Sequence, residues 1–148
     1  MTDLAALYQV LPISSEHIRV GTQTNCGGIA AARIDVVAAP AYEFVDATPP
    51  PRPDRYEDQE LVDFCVANVR EGIELELTEL FGELPAVRVV LHQVLPHAVD
   101  SNEWMNRRAG RTVVKVALRN SGLDDVPSPE ASYRVIRPRS TGSSSGTA

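Results

Sequence analysis

Four short segments of the chain alternate apolar and polar residues, which is the pattern of a β-strand with one buried face. They are HIRVG, ARIDVVA and YEFVDA in the first third of the chain, and AVRVVLH after position 85. In the last segment Val87, Val89 and Leu91 share one face. A further segment, SYRVIRP, is a candidate fifth strand at a sheet edge. The pattern therefore predicts a sheet that is covered on one side.

Two longer segments have helical spacing. The first is predicted to form a helix from 57 to about 79, because five apolar residues recur at every fourth position. These are Leu61, Cys65, Val69, Ile73 and Leu77.

The second helix is predicted from 101 to about 119. Asp100 and Glu103 have the spacing of a capping box and are the predicted helix caps. Val114 and Leu118 fall near its polar side, where they are candidates for contacts with a partner. The predicted inner face comprises Met105, Ala109, Thr112, Val113 and Val116.

The element order is β-β-β-α-β-α, which predicts an α+β two-layer sandwich with both helices on one face of a four-stranded sheet. We assign residues 1–14 to an N-terminal segment and 15–137 to the domain. The Ser/Gly/Thr-rich residues 138–148 are predicted to be disordered. The proline-rich stretch ATPPPRPDRYE is predicted to be an extended connector before the first helix.

The composition is that of an ordinary globular protein, with 148 residues and a formal net charge of -6. This balance argues against attraction of the whole surface to nucleic acid. No signal peptide or membrane-spanning run is recognisable, so the expected location is the cytoplasm. The two cysteines, Cys26 and Cys65, are expected to be reduced thiols.

Charge is divided between the two helices. Residues 54–83 contain ten acidic residues and two arginines, a local net charge of -8. The second helix is basic: Arg108, Arg111, Lys115 and Arg119 share a face, which we call the basic stripe, and Arg107 precedes them. One interpretation is that neighbouring helices pair through salt bridges. The other is that the stripe faces away from the inner face and docks on phosphates, with the acidic helix at a different edge.

Catalytic chemistry has little support in the sequence. His92, His97 and Asp100 are the candidates for a small metal-dependent hydrolase, but they lack the spacing of a recognised zinc motif. Cys26 and Cys65 are the candidate nucleophiles, and Cys65 lies on an apolar helix face. No phosphate-binding loop is present. We therefore expect no catalytic residue, metal, cofactor or nucleotide.

The chain resembles domain IV of translation elongation factor G over about residues 15 to 120. The matching features are Gly27-Gly28 before a strand, Phe-Val-Asp at the end of YEFVDA, the proline-containing connector, and the segment VRVVLHQVLPHAVDSNE. Within that segment His97, Val99, Asp100, Ser101 and Glu103 match the family pattern. Ile29-Ala30-Ala31 replaces the Arg-Gly-Gln of the family.

This resemblance implies a fold like the second domain of a small-subunit ribosomal protein, with a left-handed βαβ crossover. It also implies a tip formed by the glycine-rich loop and the loop of His97. The leading hypothesis is a non-enzymatic, translation-related module that binds the ribosome, ribosomal RNA or another structured RNA, but no membrane. The alternative is a module that binds an unidentified protein. The predicted contact residues are Gly27, Gly28, His97, Ser101, Arg107, Arg108, Arg111, Lys115 and Arg119.

Overall fold

The computed structural model describes residues 2–21 and 27–138, and these form three α-helices, six strands and one 3-10 turn. In chain order the elements are α1 (Leu4–Val10), β1 (Ile13–Ser14), β2 (Ile18–Gly21), β3 (Ile29–Ala38), β4 (Glu43–Asp46), the 3-10 turn (Pro53–Arg55), α2 (Gln59–Phe81), β5 (Val87–Gln93), α3 (Glu103–Asn120) and β6 (Tyr133–Val135). The segment predicted to be disordered is 138–148, and all of it except Pro138 lies outside the described residues. No helix within the described ranges is both long and apolar enough to cross a membrane.

The strands form one mixed sheet in the order β4-β5-β3-β2-β6, and the short β1 also pairs with β3. All pairings are antiparallel except that of β4 with β5. These two parallel strands are consecutive in the chain and are joined through α2. The left-handed sense of that crossover stays a prediction. The predicted edge strand is confirmed as β6, which pairs with β2.

Both long helices cover one face of the sheet. Ile34 and Val36 of β3 are buried and alternate with half-exposed residues, as the sequence pattern predicts. They line one small internal cavity together with Leu77 of α2 and Val114 of α3. The predicted α+β two-layer sandwich is thus confirmed, and its six strands are the four predicted, the candidate edge strand β6 and the short β1.

Residues 2–14, part of the segment that the prediction set apart from the domain, pack with the same core. Leu7 of α1 is fully buried, and it lines the internal cavity with Val114 and Leu118. These two α3 residues are therefore covered within the chain, and the interpretation that they contact a partner is wrong. The sequence pattern did not reveal α1 because this helix is short. It has seven residues, follows the side-chain cap of Asp3, and buries only Leu7.

The two long helices cross at glycines that let their backbones touch. A Cβ atom on Gly72 of α2 would lie 2.0 Å from the backbone oxygen of Arg107. A Cβ atom on Gly110 of α3 would lie 2.1 Å from the backbone oxygen of Val69. Because real Cβ atoms do not approach backbone atoms so closely, any larger residue would force the helices apart.

We predict that Gly110→Ala destabilises the protein by about 1–3 kcal/mol, because the overpacked contact is with backbone that cannot rotate away. Helix propensity alone would make the same change stabilising by roughly 1 kcal/mol. The sign of the change in the free energy of unfolding, measured by urea denaturation, therefore separates the two effects. Thr78→Ala, on the exposed side of α2, is the control and should change stability by less than about 0.5 kcal/mol.

Candidate functional site

The glycine turn and the loop that contains His97 lie side by side. The side chain of Asn102 donates a 2.9 Å hydrogen bond to the backbone oxygen of Gly27, and the amide of Ile29 donates a 3.1 Å bond to the backbone oxygen of Asp100. Gly28 has φ +88°, and a Cβ atom there would lie 2.3 Å from the Asn102 side chain. The turn can therefore pack against this loop only with glycine at position 28. Cys26 lies outside the described residues.

The cap of α3 is Asn102, and the prediction of Asp100 with Glu103 as a capping box was wrong. The Asn102 side chain accepts a 2.7 Å bond from the amide of Met105, three residues on. Asp100 lies two residues before the cap, while Glu103 is the first helical residue and contributes only a negative charge near the helix N-terminus. The loop extends two residues further than predicted, so α3 begins at Glu103 and not at residue 101.

The other predicted loop residues hold this turn together. His97 Nδ1 accepts a 3.0 Å bond from the amide of Asp100, and the Asp100 carboxylate lies 3.5 Å from the same nitrogen. Ser101 Oγ accepts a 2.8 Å bond from the amide of His97 and donates one of 3.1 Å to the backbone oxygen of Leu95. Ser101 therefore fixes the loop from inside.

Cys65 lies beneath this loop, with its sulfur 3.6 Å from Ser101 Oγ and 3.9 Å from the backbone oxygen of Leu95. It is fully buried on α2. Burial raises the pKa of the Cys65 thiol, although the hydrogen bond with Ser101 acts in the opposite direction. This is the environment of a core thiol and not of an activated nucleophile.

His92, His97 and Asp100 are not brought together as one metal or catalytic centre. His92 lies on the sheet face opposite the helices, where its Nε2 is 2.9 Å from a carboxylate oxygen of Asp35. Burial opposes ionisation of Asp35, but the hydrogen bonds from His92 and Ser14, together with the charges of His92 and Arg33, outweigh it and lower the pKa of that carboxyl group. Across residues 2–21 and 27–138, no cluster of three or more histidine, cysteine or acidic side chains could hold a metal ion.

The cations in the middle of α3 are neutralised by the acidic helix. Arg107 pairs with Glu71 at 3.1 Å, and Arg111 pairs with Glu76 at 3.2 Å and also with Glu79. The expectation that the acidic helix lies at a different edge from the basic stripe is therefore wrong. The other interpretation, that the neighbouring helices pair through salt bridges, fits this part of the surface.

Lys115 is buried beside the same carboxylate. Its ammonium nitrogen lies 3.7 Å from Glu76 Oε1, and both side chains are almost fully enclosed. Burial raises the pKa of Glu76, while the charges of Lys115 and Arg111 oppose that rise. A buried and paired lysine cannot dock on phosphate, so Lys115 is withdrawn from the predicted contact residues.

Two predicted cations remain outside the helix pairing. Arg119, near the end of α3, donates a hydrogen bond to the backbone oxygen of Val126. Arg108 lies over the ring of Trp104, with its guanidinium carbon 5.3 Å from the ring centre. Of these two, Arg108 borders a large surface depression.

That depression, which we call the arginine groove, lies between the start of α3 and the edge strand β6. It contains three arginines, two exposed aromatic residues and no acidic residue among its described lining. Trp104 is 59% exposed and Tyr133 is 39% exposed. The lining residues are Arg19, Gly21, Gly27, Trp104, Met105, Arg108, Ala131, Ser132, Tyr133 and Arg134.

Arg19 and Arg134 are directly opposite each other on β2 and β6. Like charges in this arrangement destabilise a strand pair. Arg19 Nε is buried and makes no hydrogen bond within the described part of the chain. Neither these two arginines nor Arg108 has a carboxylate within salt-bridge distance among residues 2–21 and 27–138. The electrostatics of the groove thus favour an anion.

A second depression adjoins the arginine groove and follows α3 toward its C-terminus. It shares Trp104 and Arg108, but its other cations are those already paired with α2, and Glu130 also lines it. Of the cations that line these two depressions, those without a carboxylate partner in the described chain therefore lie at the end that carries Gly27.

Sequence reasoning found Gly27 and Arg108 in this groove and missed Arg19, Trp104, Tyr133 and Arg134. Arg19 and Arg134 occupy polar positions of their alternating segments, which indicates exposure but not proximity. They meet because β6 returns to pair with β2 more than a hundred residues later. No local pattern encodes that pairing.

No protein-family model matches the chain, and no curated protein matches it. Among solved structures it is similar to ttk003000868 from Thermus thermophilus, with a TM-score of 0.49 and 16% identity. The match covers 73% of this chain and 16% of that one, so the chain spans less than a fifth of that protein's length. A similarity of this size does not identify a function.

We predict that Asn102→Ala lowers the free energy of unfolding by about 0.5–2 kcal/mol, the cost of losing a helix cap. Asp100→Ala should cost clearly less, because the bonds that Asp100 makes through its backbone survive the change. Urea denaturation of both variants measures the difference. An equal or larger loss for Asp100→Ala would contradict the assignment of Asn102 as the cap.

Proposed function

We propose that this chain is a non-enzymatic, elongation-factor-domain-like module of translation that binds the ribosome or a structured RNA. The arginine groove is its contact surface, and the adjoining tip formed by Gly27, Gly28 and the His97 loop extends that surface. The observation that carries the proposal is the set of three arginines without acidic partners in the described chain, lying beside two exposed aromatic side chains.

The negative net charge of the chain does not oppose this proposal. Much of the acidic charge belongs to α2 and to the connector before it. The connector follows β4, and β4 and β6 are the opposite ends of the sheet order. At the β6 end, the groove offers a polyanion arginines and no acidic residue among its described lining. Arginine suits this role because its planar guanidinium donates paired hydrogen bonds to phosphate.

The second candidate function is binding of a protein by the outer face of α2. Phe64 and Leu75 are exposed there among acidic residues, at 37% and 43% of their surface. Such a face would suit a basic partner. We rank it second because these two apolar residues are isolated from each other along the helix, whereas the three arginines border one groove.

We predict that the purified chain sediments with ribosomes at low salt and is released as salt rises. About three phosphate contacts should give a slope of log affinity against log salt of roughly -2 to -3. The double variant Arg108→Glu/Arg134→Glu should bind at least about tenfold more weakly, because it reverses charge where no described acidic partner exists. Arg111→Glu would not serve as a test, since it would face Glu76 and Glu79 and disturb the helix pair.

Arg55→Glu/Arg52→Glu is the matched control. It makes the same change in net charge on exposed arginines of the connector, at the β4 side of the sheet. Its binding should equal that of the unmodified chain. Failure of the unmodified chain to sediment at either salt concentration, or equal losses in both double variants, would contradict RNA binding through the groove.

A further inference from the structure

We infer that the arginine groove takes an unpaired stretch of RNA, whose bases stack on Trp104 and Tyr133 while the arginines hold the phosphates. This inference rests on the proposed function and narrows it to one class of RNA. It assigns to the two aromatic residues a role in recognition, because neither the sequence pattern nor the fold explains their exposure.

Trp104 lies in the first turn of α3, yet more than half of its surface is exposed. A large aromatic side chain left in water contributes little to the core, so burial does not account for its position. Arg108 follows one helical turn later and covers the ring at 5.3 Å from its centre. This contact limits the rotation of the indole and holds it at the groove wall, ready to stack.

Tyr133 forms part of the opposite wall. It pairs with Val20 on β2, and because side chains alternate along a strand it lies on the same sheet face as that core residue, the face that carries α3. Arg134, the next residue, lies on the other face beside Arg19. Trp104, Tyr133 and Arg108 therefore lie on the helix side of the groove, while the side chains of Arg19 and Arg134 lie on the other sheet face, around the edge strand β6.

The combination of exposed aromatic rings and arginines in one groove favours unpaired nucleotides over a duplex. In a double helix the bases are stacked on each other, and their faces are not available to a protein side chain. Exposed aromatic rings beside a positively charged groove are the usual means of binding single strands, since every base has a face that can stack. A duplex would contact the arginines through its phosphates, but its bases could not stack on either aromatic residue.

The test compares a fluorescently labelled, unstructured RNA of about 12 nucleotides with a blunt RNA duplex of about 12 base pairs, lengths within the span that single-strand binding grooves occupy. Trp104 is the one tryptophan of the chain, so base stacking should quench the intrinsic fluorescence of the protein directly. We expect the single strand to quench it and to bind at least about tenfold more tightly than the duplex, as measured by anisotropy of the label.

Trp104→Ala should weaken binding of the single strand by roughly 5- to 150-fold, the range found when a stacking residue is truncated. Trp104→Phe should recover much of that loss, because it retains an aromatic face. Tyr56→Ala is the matched control: Tyr56 is 85% exposed but lies in the connector, away from the groove. Its affinity for RNA should equal that of the unmodified chain, and all three variants should keep their melting temperatures.

The outcomes separate this inference from the proposed function. Equal affinity for the single strand and the duplex, together with an unchanged affinity in Trp104→Ala, would overturn stacking and leave RNA binding by the arginines in place. Binding of ribosomes but of neither oligonucleotide would overturn the inference alone. Absence of binding to ribosomes and to both oligonucleotides would overturn the proposed function and the inference together.

Discussion

The close crossing of α2 and α3 at Gly72 and Gly110 is the constraint on which the rest of the structure depends. With no side chain between them, the two backbones touch, and a Cβ atom on Gly72 or Gly110 would come within 2.0 or 2.1 Å of the other helix. This closeness brings the acidic face of α2 against the basic face of α3. It also lets both helices fit side by side on one face of the sheet.

The crossing decides which cations are available to a partner. Arg107, Arg111 and Lys115 project toward the carboxylates of α2 and are neutralised there. Glu76 loses its water in this pairing, which is why its pKa rises although two cations are near. Charge counted along α3 therefore overstates what a phosphate would meet, and the three groove arginines without a carboxylate partner in the described chain lie instead at the start of α3 and at the sheet edge.

The sheet edge and the start of α3 supply a surface that the helix pair does not. β6 brings Tyr133 and Arg134 beside β2, and the turn fixed by Asn102 sets Trp104 at the mouth of the groove. The Gly27-Gly28 turn packs against that same cap. The proposed RNA contact is thus assembled from four separate parts of the chain, each of which has a structural reason to be where it is.

The sequence by itself determined the alternating strands, the two long helices and their apolar faces, because those follow from periodicities of two and of about 3.6 residues that burial imposes locally. It also indicated that Gly27, Gly28 and the His97 loop belong together, through resemblance to a known domain. The tertiary structure alone decided that Leu7 covers Val114 and Leu118, that Asn102 and not Asp100 caps α3, and that Arg19 meets Arg134. The burial of Val114 and Leu118 by Leu7 and the meeting of Arg19 with Arg134 depend on which distant segments come into contact, and the choice of Asn102 as the cap accompanies its side-chain bond to distant Gly27. The spacing of residues within one segment does not indicate such contacts.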